Sequence, residues 1–278
     1  MSSQPSIKDV HARTVVDPKD KKAFVLKDRP TRGDQLFESK KDAKSSLDAD
    51  ALVINELQDA MFASKCGSLL VVMQGIDTAG KDGTTKECFK YTSPLGVHVH
   101  AFGKPTEIEL AHDYLWRIHA VAPRKGHITV FNRSQYEDVL VVKVRNLAPP
   151  KQVEKRYEQI NQFEKSLTEN GTHILKLMLH VSKEEQGERL RERLEVPAKR
   201  WKFNPSDLED RKLWDEYQHA YEAVLQRCST PWAPWHVIPS DSRSRRDAIA
   251  ARLIRGALEE MKPEYPDPGY RLEQYQID

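Results

Sequence analysis

Gly75-Ile-Asp-Thr-Ala-Gly-Lys-Asp-Gly83 follows an apolar run, Ser68-Leu-Leu-Val-Val-Met73, and leads into Thr84-Thr-Lys-Glu-Cys-Phe-Lys90, which reads as a helix start. Strand, glycine loop and helix in that order are the setting in which a Gly-x4-Gly-Lys loop cradles phosphate. Gly75 and Gly80 allow backbone N–H groups to turn inward, and the helix N-terminus adds partial positive charge. Lys81 brings a full charge to the terminal phosphates. Such loops usually carry Ser or Thr after the lysine, against Mg²⁺; here the residue is Asp82. A carboxylate is a hard anionic ligand that would hold Mg²⁺ more directly, and Asp77 adds a second one within the loop. The pattern can arise by chance in a solvated loop, but the strand before it and the helix after it argue against that.

On both sides of the loop the chain alternates strands and helices. Val53, Leu57, Ala60 and Met61 fall at helical spacing over 51–62, and strands are expected at 96–102, 126–131, 172–181 and 235–238. Thr106 and Glu109 form a capping box that opens a helix with Leu110, Tyr114, Leu115 and Ile118 along one face. Pro149-Pro150 begins another, striped by Val153, Tyr157, Ile160 and Leu167 and stopped at Asn170-Gly171. Ser182 with Glu185 and Ser206 with Glu209 open two more, and a last helix covers about 245–261. The second of these bears Trp214, Tyr217, Tyr221 and Val224, a stripe that suits a core better than a base-stacking platform.

This alternation predicts right-handed crossovers and a parallel sheet with helices on both faces. Ligands in such sheets bind beyond the carboxyl ends of the strands, where the glycine loop sits. Residues 1–50 are polar and mixed in charge, broken by Pro5, Pro18 and Pro30, and read as an extended arm or a disordered extension preceding a domain at 51–278.

A chain of 278 residues can enclose one large core with a small lid. Its formal net charge of +2 excludes a global polycation, so any polyanion must be met by local clusters of Lys and Arg; nothing points to nucleic acid. No apolar run approaches the roughly 20 residues needed to span a bilayer, and the polar N-terminus lacks a signal core. Cys66, Cys88 and Cys228 are odd in number and scattered, which suits reduced thiols in a cytoplasmic protein. His98, His100, His112, His119, His127 and His173 lack ligand spacing and read as structural; hard oxygen ligands beside phosphate favour Mg²⁺.

Two further segments should meet the loop. After the third strand comes Phe131-Asn-Arg-Ser-Gln-Tyr-Glu-Asp138. Arg133 there can clamp phosphate oxygens as a fork, and Glu137 can bind Mg²⁺ or orient an acceptor; the bland alternative is that the two pair with each other. After the fourth strand, Glu188 to Lys202 carries Arg189 and Arg193 on one helix face, then Lys199, Arg200 and Lys202 beyond Pro197. A basic helix and loop at about 183–230 is where nucleotide kinases carry a lid. Glu188, Glu192 and Glu195 interleave, so Arg189 and Arg191 could equally belong to a solvated face. Tyr91, Pro94, Phe102, Lys104 and Pro105 lie near the end of the second strand, where an acceptor could rest.

These stretches resemble the polyphosphate kinase 2 family. The resemblance is carried by residues 75–84, by Phe-Gly-Lys-Pro-Thr (102–106) and Pro-Arg-Lys-Gly (123–126), by residues 131–140, by Lys-Arg-Trp-Lys-Phe (199–203) and by Ile-Pro (238–239), and it runs from about 35 to 260. It implies a thymidylate-kinase-like P-loop fold, a three-layer α/β sandwich with a parallel central sheet and helical lid. It also implies Mg²⁺-dependent transfer (Mn²⁺ a substitute) between inorganic polyphosphate and AMP, ADP or ATP, by a cytoplasmic homo-oligomer, dimer or tetramer. Asp77, Lys81 and Arg133 would be catalytic: Asp77 orients or deprotonates the accepting phosphate, while Lys81 and Arg133 bind phosphates. Gly75, Thr78, Ala79, Gly80, Asp82, Gly83, Thr84, Asn132, Arg193, Lys199, Arg200 and Lys202 would bind nucleotide or polyphosphate. Asp77, Asp82 and Glu137 would hold the metal. Diphosphate-only members often read Asp-Arg-Ser-x-Tyr-Asn after the third strand; Asn132-Arg-Ser-Gln-Tyr-Glu137 resembles members that use mono- and diphosphates.

Two other readings share these residues. An ATP-dependent nucleotide kinase would use the same loop, sheet and lid. A non-catalytic polyanion-binding module would not need Asp77 and Asp82 beside phosphate.

Overall fold

The computed structural model describes residues 4–271 and 274–275; the extreme ends of the expected extension and domain (1–3, 272–273, 276–278) lie outside the described residues. Five strands form one parallel sheet in the order β2-β3-β1-β4-β5: β1 Ser68–Gln74, β2 Val97–Ala101, β3 Ile128–Asn132, β4 Thr172–His180 and β5 Trp235–Pro239. Strands β1 and β4 are buried almost throughout because both faces are covered. Every residue of β1 is buried, and each of Leu69, Leu70, Val71 and Val72 contributes about 1.5–3 kcal/mol by leaving water.

One face is covered by α1 (Ile7–Thr14), α2 (Lys40–Ser64), α3 (Lys81–Cys88) and the last helix, α11 (Arg243–Met261). Between β2 and β3 run two short turns of helix, α4 (Glu107–Leu110) and α5 (Trp116–His119). After β3 come α6 (Val141–Val144) and α7 (Pro150–Glu169). The lid follows β4 as α8 (Lys183–Glu195), a 3-10 turn at Pro197–Lys202 and α9 (Ser206–Lys212). The chain then returns through α10 (Trp214–Cys228), which packs on α7. The aromatic stripe of α10 is buried, with Trp214, Tyr217, Tyr221 and Val224 all facing the core.

Residues before 51 are not an arm. Helix α2 begins at Lys40, capped by Ser39, whose side chain accepts from the Asp42 N–H. Val10, Val16, Leu26 and Phe37 from this segment are buried in the main core. Buried Asp50 binds Arg252 at 2.6 Å and Arg255 at 3.2 Å, fastening α2 to α11. Polar composition concealed this because the segment supplies its apolar residues singly, without period.

Two helix expectations change. The capping box of Thr106 and Glu109 forms, but the helix ends after Leu110; the Asp113 carboxylate accepts from the Leu115 N–H and starts a new turn. Ser206 does not cap α9 and is its first residue, after Pro205; Asn204 Oδ1 accepts from the Ser206 N–H instead.

Candidate active site

The loop between β1 and α3 depends on two glycines. Gly75 lies at φ 153°, and a Cβ there would stand 2.8 Å from the Leu179 carbonyl oxygen. Gly80 lies at φ 111°, where a Cβ would meet Arg246 Nη1 at 1.9 Å. Thr78, at φ 69°, takes the same left-handed region without being glycine. Lys81 Nζ donates back to the Gly75 carbonyl at 2.6 Å. Burial, and then the charge of Arg133, push the Lys81 ammonium below its ordinary pKa.

Arg133 also sits in the left-handed region, at φ 63°, immediately after β3. The Ser134 hydroxyl accepts from Gln74 Nε2 at 3.1 Å and from the Tyr136 N–H at 3.3 Å, fixing the turn that follows. Arg133 Nη2 reaches Asp77 Oδ1 at 2.6 Å, so its partner is Asp77 and not Glu137. Burial works against the Asp77 charge, but Arg133 and Lys81 outweigh it and hold the carboxyl below its ordinary range. Glu137 is pushed upward by burial, against the pull of Arg133 and Lys81.

Above the loop is a cavity of about 420 Å³. Asp77, Thr78, Gly80, Lys81, Asp82 and Gly83 form its floor, with Asn132 and Arg133 at one side. Arg189, Glu192, Arg193, Lys199 and Lys202 come from the lid, and Arg243 and Arg246 from the first turn of α11. Eight of these side chains are cationic and three are carboxylates, so the cavity is built for a ligand with several negative charges.

The lid cations are held by acids of the protein. Arg193 Nη1 binds Asp207 Oδ2 at 2.8 Å, while Glu192 takes both Lys199 and Arg243. Asp82 accepts from Asn132 Nδ2 at 2.5 Å and has Lys202 at 3.8 Å.

Several expected contacts fall elsewhere. Thr84 is fully buried, and its hydroxyl donates to Asp247 at 2.7 Å, away from the cavity. Ala79 is buried with its carbonyl taken by Arg189 and Arg246, and the Gly75 carbonyl serves Lys81, so both shape the loop from behind. Arg200 is exposed, donates to the Leu194 carbonyl at 3.0 Å, and does not line the cavity. Glu137 does not line it either, lying instead among Lys81, Arg133 and Gln74. Phe102 is buried in an edge contact with Phe131, 5.0 Å between ring centres.

Arg189 belongs neither to a solvated face nor to a free phosphate clamp. It is buried, and its two terminal nitrogens donate to the carbonyls of Thr78, Ala79, Ser240 and Asp241. One side chain thereby ties the lid helix to the glycine loop and to the end of β5. Arg243 and Arg246 were not anticipated from the sequence. The signal was Ser242-Arg-Ser-Arg-Arg246 directly beyond β5, at the same carboxyl edge of the sheet as the loop.

Among the described residues no three His, Cys, Asp or Glu groups converge as a ready metal cage. Of the three expected metal carboxylates, Asp77 and Asp82 stand on the cavity floor, and Glu137 stands outside its lining. Two carboxylates beside a phosphate loop fit Mg²⁺, which keeps several waters and takes its remaining ligands from substrate phosphates.

The family described as polyphosphate kinase 2 (PPK2) matches residues 37–266. An AMP/ADP-polyphosphate phosphotransferase of Meiothermus ruber is 46% identical over 258 residues, covering 92% of this chain and 96% of its own. An ADP-polyphosphate phosphotransferase of Rhodopseudomonas palustris is 37% identical, over 89% and 91% of the two chains. The crystal structure of polyphosphate kinase 2 from Arthrobacter aurescens TC1 superposes with a TM-score of 0.91 at 36% identity, over 99% of this chain and 96% of that one.

Proposed function

The chain belongs to the polyphosphate kinase 2 family, and we infer that it transfers phosphate reversibly between inorganic polyphosphate and the nucleotides AMP and ADP. The observation that carries this reading is the composition of the cavity: eight cations line it, Lys81 from the glycine loop and seven from around it. A polyphosphate chain presents repeating charge and no base, so a row of cations can hold any length of it.

Phosphoryl transfer depends mainly on position and charge neutralisation. Lys81 and Arg133 hold the transferred group, the first from the loop and the second as a fork. Asp77 stays ionised at neutral pH and is a poor base. Its part is to orient the accepting phosphate, which is already an anion and needs no deprotonation. Asp77 and Asp82 would share Mg²⁺, or Mn²⁺ in its place, with the phosphates. When bound, the metal neutralises charge on the transferred group. Lys199, Lys202 and Arg193 exchange their carboxylate partners for phosphate oxygens as the lid closes, excluding water.

This reading includes a cytoplasmic setting, which agrees with the unpaired thiols of Cys66, Cys88 and Cys228. No helix among the described residues is long and apolar enough to cross a membrane. It also includes a homodimer or homotetramer, supported by exposed Leu95, Val99, Ile108, Leu110 and Trp116 around edge strand β2. Incubation of ADP with long-chain polyphosphate and Mg²⁺ should give ATP and should stop on chelation. No ATP under these conditions, or ATP formed in excess chelator, would contradict it.

A further inference from the structure

Beneath the site, on the side of the sheet facing α7 and α10, lies a charged group that the transfer chemistry does not use. Lys176, in the middle of β4, and Glu164, on α7, are both wholly buried, with Nζ and Oε2 2.6 Å apart. Lys176 Nζ also donates to the Tyr136 hydroxyl at 2.9 Å and to the Cys228 carbonyl at 2.7 Å. The three protons of the ammonium thus have three acceptors. Glu164 Oε1 accepts from the Tyr136 hydroxyl at 2.7 Å and from Gln135 Nε2 at 3.0 Å.

Stability alone does not account for this arrangement. Exchanging a buried ion pair for apolar side chains of similar volume is often neutral or stabilising. What the group does achieve is geometric. Gln135 and Tyr136 are two residues of the 3-10 turn Gln135–Val139, and both are bound to Glu164. The turn follows Arg133 by two residues and contains Glu137, and Arg133 holds a left-handed backbone that is unfavourable for a non-glycine residue. Cys228 ends α10, the helix by which the chain returns from the lid. A single ammonium is therefore bonded both to the turn that presents Arg133 and to the far end of the helix by which the chain returns from the lid.

We propose that Lys176, Glu164 and Tyr136 are positioning residues: they set the Arg133 turn against the glycine loop and register the lid's return helix to the same point. They touch no substrate and act through Arg133. This rests on the transfer activity read above, and wild-type turnover measured in parallel separates the two, since an inactive wild type would defeat that reading first.

The test pairs two variants. K176M/E164L removes both charges while keeping volume, and Y136F removes the hydroxyl that joins both members of the pair to the turn, leaving the Gln135 bond to Glu164. Thermal midpoints are measured with kcat and KM for ADP and polyphosphate. The expected result for the double variant is a midpoint near or above wild type, with kcat down about ten- to a hundredfold, because small misplacement of a catalytic group is costly. KM for polyphosphate should change little, because the cavity cations remain. Y136F should lower kcat in the same direction, with a lowered midpoint because Lys176 and Glu164 each lose a buried partner, while remaining folded at the assay temperature. A double variant that folds and retains wild-type kcat would overturn the proposal. If the double variant does not fold, Y136F decides alone, and an unaltered kcat there overturns it equally.

Discussion

Arg133 Nη2 stands 2.6 Å from Asp77 Oδ1, so the guanidinium that would clamp the transferred phosphate and a loop carboxylate form one unit. Each restrains the other: Arg133 keeps Asp77 ionised, and Asp77 keeps a left-handed arginine aimed at the loop. Replacing Arg133 by Ala should lower turnover about a hundredfold or more, the scale for losing a donor at developing charge. Asp77→Asn added to that variant should cost less than it does alone, because the two act together. Fully multiplicative losses in steady-state rates would show two independent roles.

Lys81 is expected to behave differently. Its bond to the Gly75 carbonyl is one of several that hold the loop, since Arg189 and Arg246 brace it from behind. Lys81→Ala should therefore fold with a near-normal melting profile while turnover falls on the order of a hundredfold. A variant that unfolds, or one that turns over normally, would contradict the assignment.

Glu137 lies away from the cavity wall, close in charge to Lys81 and Arg133. Glu137→Gln should lower turnover with AMP and with ADP by the same factor, about tenfold, by loosening those cations. Comparing both acceptors across a range of Mg²⁺ checks this. A loss confined to AMP that recovers at high Mg²⁺ would return Glu137 to a metal-binding role.

Acid should weaken the fold through two buried imidazoles. His236 is held neutral, its pKa pushed down to about 3 by burial and then by the charges of His11 and Arg29, and burial takes His180 down to about 4. The Thr14 hydroxyl, which donates to the Val10 carbonyl, accepts from His236 Nδ1 at 2.8 Å. In the unfolded chain these rings gain protons as pH falls below about 6.5, while in the fold they do not. The unfolded state then binds more protons, so stability is whole above that pH and falls from there toward about 3 to 4. Thermal midpoints from pH 8 to pH 5 should decline, and less steeply in His236→Gln. A slope unchanged by the substitution would remove His236 from the cause.

The positions of the strands along the chain, the glycine loop and the lid were legible because each has a local signature. Apolar runs buried on both faces mark β1 and β4, and Gly75 and Gly80 are demanded by positive φ and by the close approach of the Leu179 carbonyl and the Arg246 guanidinium. Arg246 and Arg189 were harder to read, because their partners are backbone carbonyls far along the chain and no spacing announces them. The same holds for Thr84: its place in the motif suggests phosphate, but Asp247, on α11, takes its hydroxyl. The packing of residues before 51 escaped notice because isolated apolar residues such as Val16 and Phe37 carry no period. What pairs locally can be read, and what pairs across more than a hundred residues needs the fold.

The donor is the central matter, since loop, sheet and lid would serve ATP as well as polyphosphate. The direct measurement supplies AMP, long-chain polyphosphate and Mg²⁺ with no other nucleotide, and follows the products by chromatography. ADP should appear first and ATP after it, with the polyphosphate shortened in proportion. Absence of both products, together with ready phosphorylation of AMP when ATP is the donor, would contradict polyphosphate as the ligand of this cationic cavity.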